Sequence, residues 1–143
     1  MNVQCGIFIS QIKRMSDRIF ERILNRQNID AFNGAQGRIL YVLWQKEYIS
    51  LRELADRTGL AATTLTSMID RMENAGLVCR VLDKNDRRKT LLTLTDTAKK
   101  LEQDYTTVSS QMTEIIYNGF TEEEIMQCEI MLRRIHENLK KHI

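Results

Sequence analysis

Residues 51–94 constrain the fold more than any other part of this chain. Ser50-Leu51-Arg52-Glu53 has the hydroxyl-to-carboxylate spacing of a capping box. It opens a short helix that buries Leu51, Leu54 and Ala55 and ends at Gly59, a residue suited to the left-handed conformation that closes helices. A second helix is expected from about Ala62 to Ala75. Leu65, Met68, Ile69 and Met72 recur at helical spacing and point inward, while Thr63, Thr64, Thr66 and Ser67 occupy the outer side of its first half. Gly76 stops this helix. Leu77 to Leu82 and Thr90 to Leu94 then read as two strands around a polar tip, Asp83-Lys84-Asn85-Asp86-Arg87-Arg88-Lys89.

The chain has no proline, so glycines and polar caps punctuate its other helices. A first helix is expected from Cys5 to Arg26, with Phe8, Ile12, Met15, Ile19 and Ile23 forming one apolar stripe. After a link at Asn28 to Phe32, Asn33-Gly34-Ala35-Gln36 is a capping box. It starts a helix that runs through Trp44 and buries Ile39, Leu40, Leu43 and Trp44. Thr95 caps one long helix whose apolar positions, Ala98, Leu101, Tyr105, Val108, Met112 and Ile115, alternate three and four apart. Thr121-Glu122-Glu123-Glu124 caps a last helix carrying Ile125, Cys128, Leu132, Ile135 and Leu139. The expected class is mainly α with a small β-wing: a helix-turn-helix and hairpin at 33–94, flanked by pairing helices at 1–32 and 95–143. A helix of roughly 20 residues is about 30 Å long. That is longer than a small helix-turn-helix core covers, and burial of three apolar stripes across a two-fold axis is the economical solution.

Several function classes fall away. The chain has no glycine-rich phosphate loop, no HExxH and no GxSxG, and no nucleophile with a base at a telling spacing, so an enzyme is not expected. Cys5, Cys79 and Cys128 are far apart and in no CxxC pattern. They read as thiols, with neither a disulfide nor a metal site. His136 and His142 match no helical metal pair, and no cofactor is implied. No uncharged run exceeds the twelve residues of Met1 to Ile12, short of the ~18 that suggest a membrane span. The first residues lack a basic signal-like region, and a cytoplasmic protein is expected.

Net charge is only +2, but its distribution is uneven. Arg80, Lys84, Arg87, Arg88 and Lys89 face only Asp83 and Asp86 in a ten-residue segment. In helix-turn-helix units the second helix lies in the major groove with its first turns against base edges. Thr63, Thr64, Thr66 and Ser67 are short and uncharged, and can donate, accept or offer a methyl to thymine. Read blandly, they are an exposed helix face, although such a face more ordinarily carries Glu, Lys or Gln. An arginine at the hairpin tip can enter the narrow, negative minor groove. Asp86, two residues before Arg88, can close the tip in an Asx-type turn or aim the guanidinium. The bland alternative is a charged loop.

These residues carry a resemblance. Gln36, Leu51-Arg52-Glu53-Leu54-Ala55, Asp70 through Val78, and Asp83 through Arg88 followed by Leu92-Thr93-Leu94-Thr95 resemble the MarR family of winged-helix transcriptional regulators over nearly the whole chain. The resemblance implies a homodimer and, most often, a repressor, bound to double-stranded DNA at a pseudo-palindromic operator. Its recognition-helix contacts would be Thr63, Thr64, Thr66, Ser67 and Arg71. Its wing contacts would be Lys84, Asp86, Arg87, Arg88 and Lys89, with Arg88 in the minor groove. It also implies a small phenolic or aromatic effector, for which Met15, Tyr41 and Trp44 are candidate lining residues and core the alternative. A rival switch is oxidation of Cys5 near the start of the first helix. A winged helix that binds proteins without a DNA target is the alternative from another class. Two departures stand out: Ser67 replaces a basic residue common in relatives, and Ala61-Ala62 replaces a Ser-Pro-like helix start.

Overall fold

The computed structural model describes residues 1–143. Its elements are α1 (Cys5–Arg26), α2 (Gly34–Gln45), β1 (Ile49–Ser50), α3 (Leu51–Thr58), α4 (Ala62–Asn74), β2 (Val78–Leu82), β3 (Thr90–Leu94), α5 (Asp96–Lys99), α6 (Glu102–Ile116) and α7 (Glu122–Lys140). The chain forms two compact units, 1–109 and 110–143. No helix is long and apolar enough to cross a membrane.

The first unit is a mainly helical winged helix-turn-helix. The fully buried side chains Ile39, Leu40 and Leu43 of α2, Leu54 of α3, Leu65, Ile69 and Met72 of α4, and Ile49, Val78 and Leu92 of the sheet form its core. Burying each stabilises the fold by roughly 1.5–3 kcal/mol before conformational entropy is counted. The sheet is antiparallel in the order β1-β3-β2, with Ile49 opposite Leu92 on one side and Arg80 opposite Leu92 on the other.

Caps fall where the sequence places them. Asn33 and Gln36 complete a reciprocal capping box, as do Thr121 and Glu124. Ser50 makes only half of one. Its hydroxyl accepts the Glu53 amide at 3.1 Å, while the Glu53 carboxylate turns to Arg57 at 3.2 Å and Lys46 at 3.5 Å. Gly59 closes α3 with φ 74°. The buried Thr58 hydroxyl donates to the Leu54 carbonyl at 2.7 Å and accepts the Leu60 amide at 3.3 Å, which tightens the turn into α4.

Two features depart from the expected elements. The strand β1 has no sequence signal, since two residues are too few for an alternating pattern, and it exists by pairing with β3. The helix expected to run unbroken from Thr95 is split between α5 and α6. At the split the Trp44 indole N–H donates to the Ala98 carbonyl at 3.0 Å, and the Leu101 amide reaches that same oxygen at 3.1 Å. A side chain inserted in the ladder and a tightened i→i+3 bond are recognised causes of a helix break.

Below the break, Tyr105 lies among four rings. Centroid distances are 5.8 Å to Phe20, 6.2 Å to Phe32, 5.7 Å to Tyr41 and 5.5 Å to Trp44. A Cβ at Gly37 would stand 3.0 Å from the Tyr105 ring, so glycine permits this approach of α2. Burial raises the Tyr105 phenol above its ordinary pKa.

Glu47, before β1, accepts the Thr93 hydroxyl at 2.5 Å and the Leu94 amide at 3.0 Å, with Lys99 Nζ at 3.9 Å. The Thr93 hydrogen bond, then the Leu94 amide, hold its carboxyl below the usual value. Elsewhere large apolar side chains stay open. On α1 these are Ile7, Phe8, Ile9, Ile12 and Met15. In the second unit, α7 exposes Met126, Ile130, Met131, Leu132, Ile135 and Leu139. There the Tyr117 hydroxyl donates to the Glu129 carboxylate, and its ring meets Phe120 edge-on at 5.4 Å.

Replacing Trp44 by Phe removes the indole donor and leaves a smaller phenyl ring against Tyr105. Urea unfolding at fixed protein concentration is expected to show a loss of about 1–3 kcal/mol, hydrogen bond and lost packing together, with an unchanged m-value. Glu47→Gln tests the carboxylate at β3. A depressed carboxylate contributes stability above its unfolded pKa, near the ordinary value of 4.5, and loses it as pH falls through the lower folded value. The stability gap between wild type and Glu47→Gln is therefore expected to be full at neutral pH and to shrink on acidification below about 4.5.

Candidate nucleic-acid interface

Helix α4 is amphipathic, and its buried stripe decides what it presents. Leu65, Met68, Ile69 and Met72 are buried, which turns Thr63, Thr64, Thr66, Ser67 and Arg71 to solvent. All five side chains expected to read bases therefore lie on the open side of one helix. The Thr66 hydroxyl donates back to the Ala62 carbonyl at 2.9 Å, leaving its methyl and lone pairs for other contacts. Arg71 Nη2 donates to the Ser67 hydroxyl at 3.4 Å. Ala61 stands at the N-cap of this helix and supplies no side-chain cap, as alanine in place of a hydroxyl residue implies.

The wing tip is held by its own carboxylates. The Asp83 amide donates to the Lys89 carbonyl at 3.0 Å, and the Lys89 amide to the Asp86 carbonyl at 3.0 Å. Asp83 Oδ1 accepts the Asn85 amide at 2.9 Å, an Asx turn. Asp86 Oδ1 accepts both the Arg88 amide and Arg88 Nε at 3.1 Å. Asp86 thus closes the turn and aims the guanidinium together. These bonds from Arg88 hold the Asp86 carboxyl below its ordinary pKa, so it is charged at neutral pH. The Arg88 side chain is 91% exposed while Asp86 is 29% exposed. Lys84, Arg87 and Lys89 are exposed around it.

Arg80 differs from the other cations of this segment. Its Nη2 donates to Asp70 at 2.5 Å and its Nη1 to Glu73 at 2.9 Å, and its amide donates to the second Glu73 oxygen at 3.2 Å. Asp70, then Glu73, raise its pKa. Two α4 carboxylates therefore compensate one of the five positive charges in the basic segment. Sequence spacing gave no hint of this, because the partners are seven and ten residues away on another element.

The candidate effector residues separate. Tyr41 and Trp44 share the Tyr105 ring, whereas Met15 belongs to the exposed stripe of α1. Tyr105 itself was legible only as an apolar helix position. Cys5 is exposed at the first residue of α1, Cys79 is exposed on β2 and Cys128 is half-buried. No group of three or more His, Cys, Asp or Glu is placed to hold a metal.

This arrangement is a winged helix-turn-helix of the kind found in transcriptional regulators, and comparison with known proteins agrees. The MarR family pattern matches residues 32–90. The HTH-type transcriptional regulator YsmB of Bacillus subtilis is 30% identical over 99 residues, covering 69% of this chain and 68% of that protein. The chain spans about half the length of some of the other curated relatives it matches. For YcgE of the same organism the match is 37% identical and covers 51% of this chain and 47% of that one. Among solved structures, a mutant Escherichia coli MarR complexed with operator DNA has a TM-score of 0.80 at 23% identity, over 91% of each chain. The chain belongs to the MarR family.

Asp86→Ala removes the acceptor of the Arg88 amide and the partner of its guanidinium. Faster hydrogen exchange at the Arg88 amide is expected, with α4 amides unchanged; equal protection in both proteins would contradict the role given to Asp86.

Proposed function

We propose that this chain is a homodimeric, sequence-specific DNA-binding regulator that represses transcription and is released from its operator by a small aromatic effector. The reading is carried by the uncharged outer side of the first turns of α4, together with a wing tip whose guanidinium is aimed by Asp86. Side chains on the first turns of α4 contact base edges in the major groove, and Arg88 reaches into the adjacent minor groove. Lys84, Arg87 and Lys89 bind phosphates. The E. coli MarR complex with operator DNA supports this assignment by likeness of fold.

The exposed apolar side chains of α1 and of α7 support the dimer, since a second copy would take them out of water. Two-fold pairing sets the two recognition helices about one DNA turn, ~34–36 Å, apart and makes the operator a pseudo-palindrome. Tyr41 and Trp44, gathered on Tyr105, support an aromatic effector acting where α2 meets α6.

Selection from a randomised duplex pool, repeated with oxidant and with phenolic compounds, tests the whole reading. Recovery of a palindromic site, lost with a phenol and kept with oxidant, supports it. Release by oxidant alone, abolished in Cys5→Ser, would place the switch at the thiol. Indifference to all duplexes at low salt would leave a protein-binding module. With a selected site in hand, Arg88→Ala is expected to weaken binding across sequences and reduce the slope of log K against log salt by about one.

A further inference from the structure

We propose that Arg80 is a positioning residue: it locks the wing onto the recognition helix and masks the charge of Asp70, without contacting DNA itself. The inference rests on the DNA-binding reading above. The Arg80 side chain joins β2 to two carboxylates of α4, and its backbone amide adds a third bond, to Glu73. Its planar fork suits this task, since one guanidinium can hold two carboxylates in fixed directions and an ammonium cannot. Arg80 lies mid-strand in β2, paired in register with Leu92, and β2 leads directly into the tip. An anchor at this point sets where Arg88 stands relative to Thr63 and Ser67.

Charge gives a second reason. Asp70 is on the open side of α4, with its side chain 58% exposed, in the face assigned to DNA. An uncompensated carboxylate there would repel phosphates. The Arg80 side chain is only 31% exposed and is committed to Asp70 and Glu73. Of the basic segment, Lys84, Arg87, Arg88 and Lys89 remain to serve the duplex, beside Arg71 of α4.

This assignment predicts effects opposite in sign to simple charge counting. Glu73→Ala removes a negative charge, which alone would strengthen binding to a polyanion. Loss of the clamp instead weakens it. The test uses the full chain and a duplex that the wild type selects from a randomised pool, titrated at several salt concentrations. Circular dichroism and thermal melting check folding. Glu73→Ala is expected to weaken binding about tenfold with the salt slope unchanged, Arg80→Ala, which also uncovers Asp70, to weaken it at least as much, and the double variant to be no worse than Arg80→Ala alone. Arg80→Lys should fall between, and Glu73→Gln, which keeps an acceptor, should lose less than Glu73→Ala. If Arg80→Ala does not fold, the Glu73 pair and Arg80→Lys carry the comparison. Tighter binding by Glu73→Ala, or a double variant markedly weaker than Arg80→Ala alone, would overturn the proposal, the first by showing that Arg80 is a cation held back from DNA and the second by showing that the two residues act independently. In either case the DNA-binding reading survives. It fails only if the wild type selects no duplex, and the clamp falls with it.

Discussion

Burial of one stripe of α4 governs the rest of the molecule. Leu65, Ile69 and Met72 are fully enclosed and Met68 nearly so. Because side chains turn about 100° per residue along a helix, enclosing these four leaves no freedom over which residues face outward. The threonines, Ser67 and Arg71 are presented by the same packing that stabilises the unit. A polar substitution at Ile69 would therefore damage the surface as surely as a change at Thr63, although it lies on the opposite side of the helix.

The wing depends on charge used locally. A net charge of +2 says little about a polyanionic partner. What matters is which cations are free to serve one. Asp86 orients Arg88 and leaves it in solvent, whereas Asp70 and Glu73 hold Arg80 against the helix. Acidic residues in a basic segment here direct positive charge as well as offset it.

Local signals made much of the fold legible. The capping boxes at Asn33 and Thr121, the glycines at 59 and 76, and the apolar periodicity of α4 each act within a few residues, and each falls where the sequence placed it. The features that escaped depend on distant partners. The two residues of β1 need β3, the α5–α6 break needs an indole 54 positions away, and the Arg80 pairings cross from strand to helix. Within the candidate site, the exposure of the recognition residues and the Asp86–Arg88 pairing were legible because they follow from helical phase and a two-residue spacing. The ring cluster was not, since nothing near Tyr105 in sequence announces Phe20, Phe32, Tyr41 and Trp44 as neighbours.

Trp44 is the sole tryptophan of the chain. Its indole touches a tyrosine ring and donates to the carbonyl at which two helices part. Indole emission responds to hydrogen bonding and to neighbouring rings, so the molecule carries an unlabelled optical gauge at that joint. Any compound or partner that shifts α6 against α5 should be visible as a change in colour or brightness of this one indole, excited at the red edge of the protein's absorption where the four tyrosines contribute little.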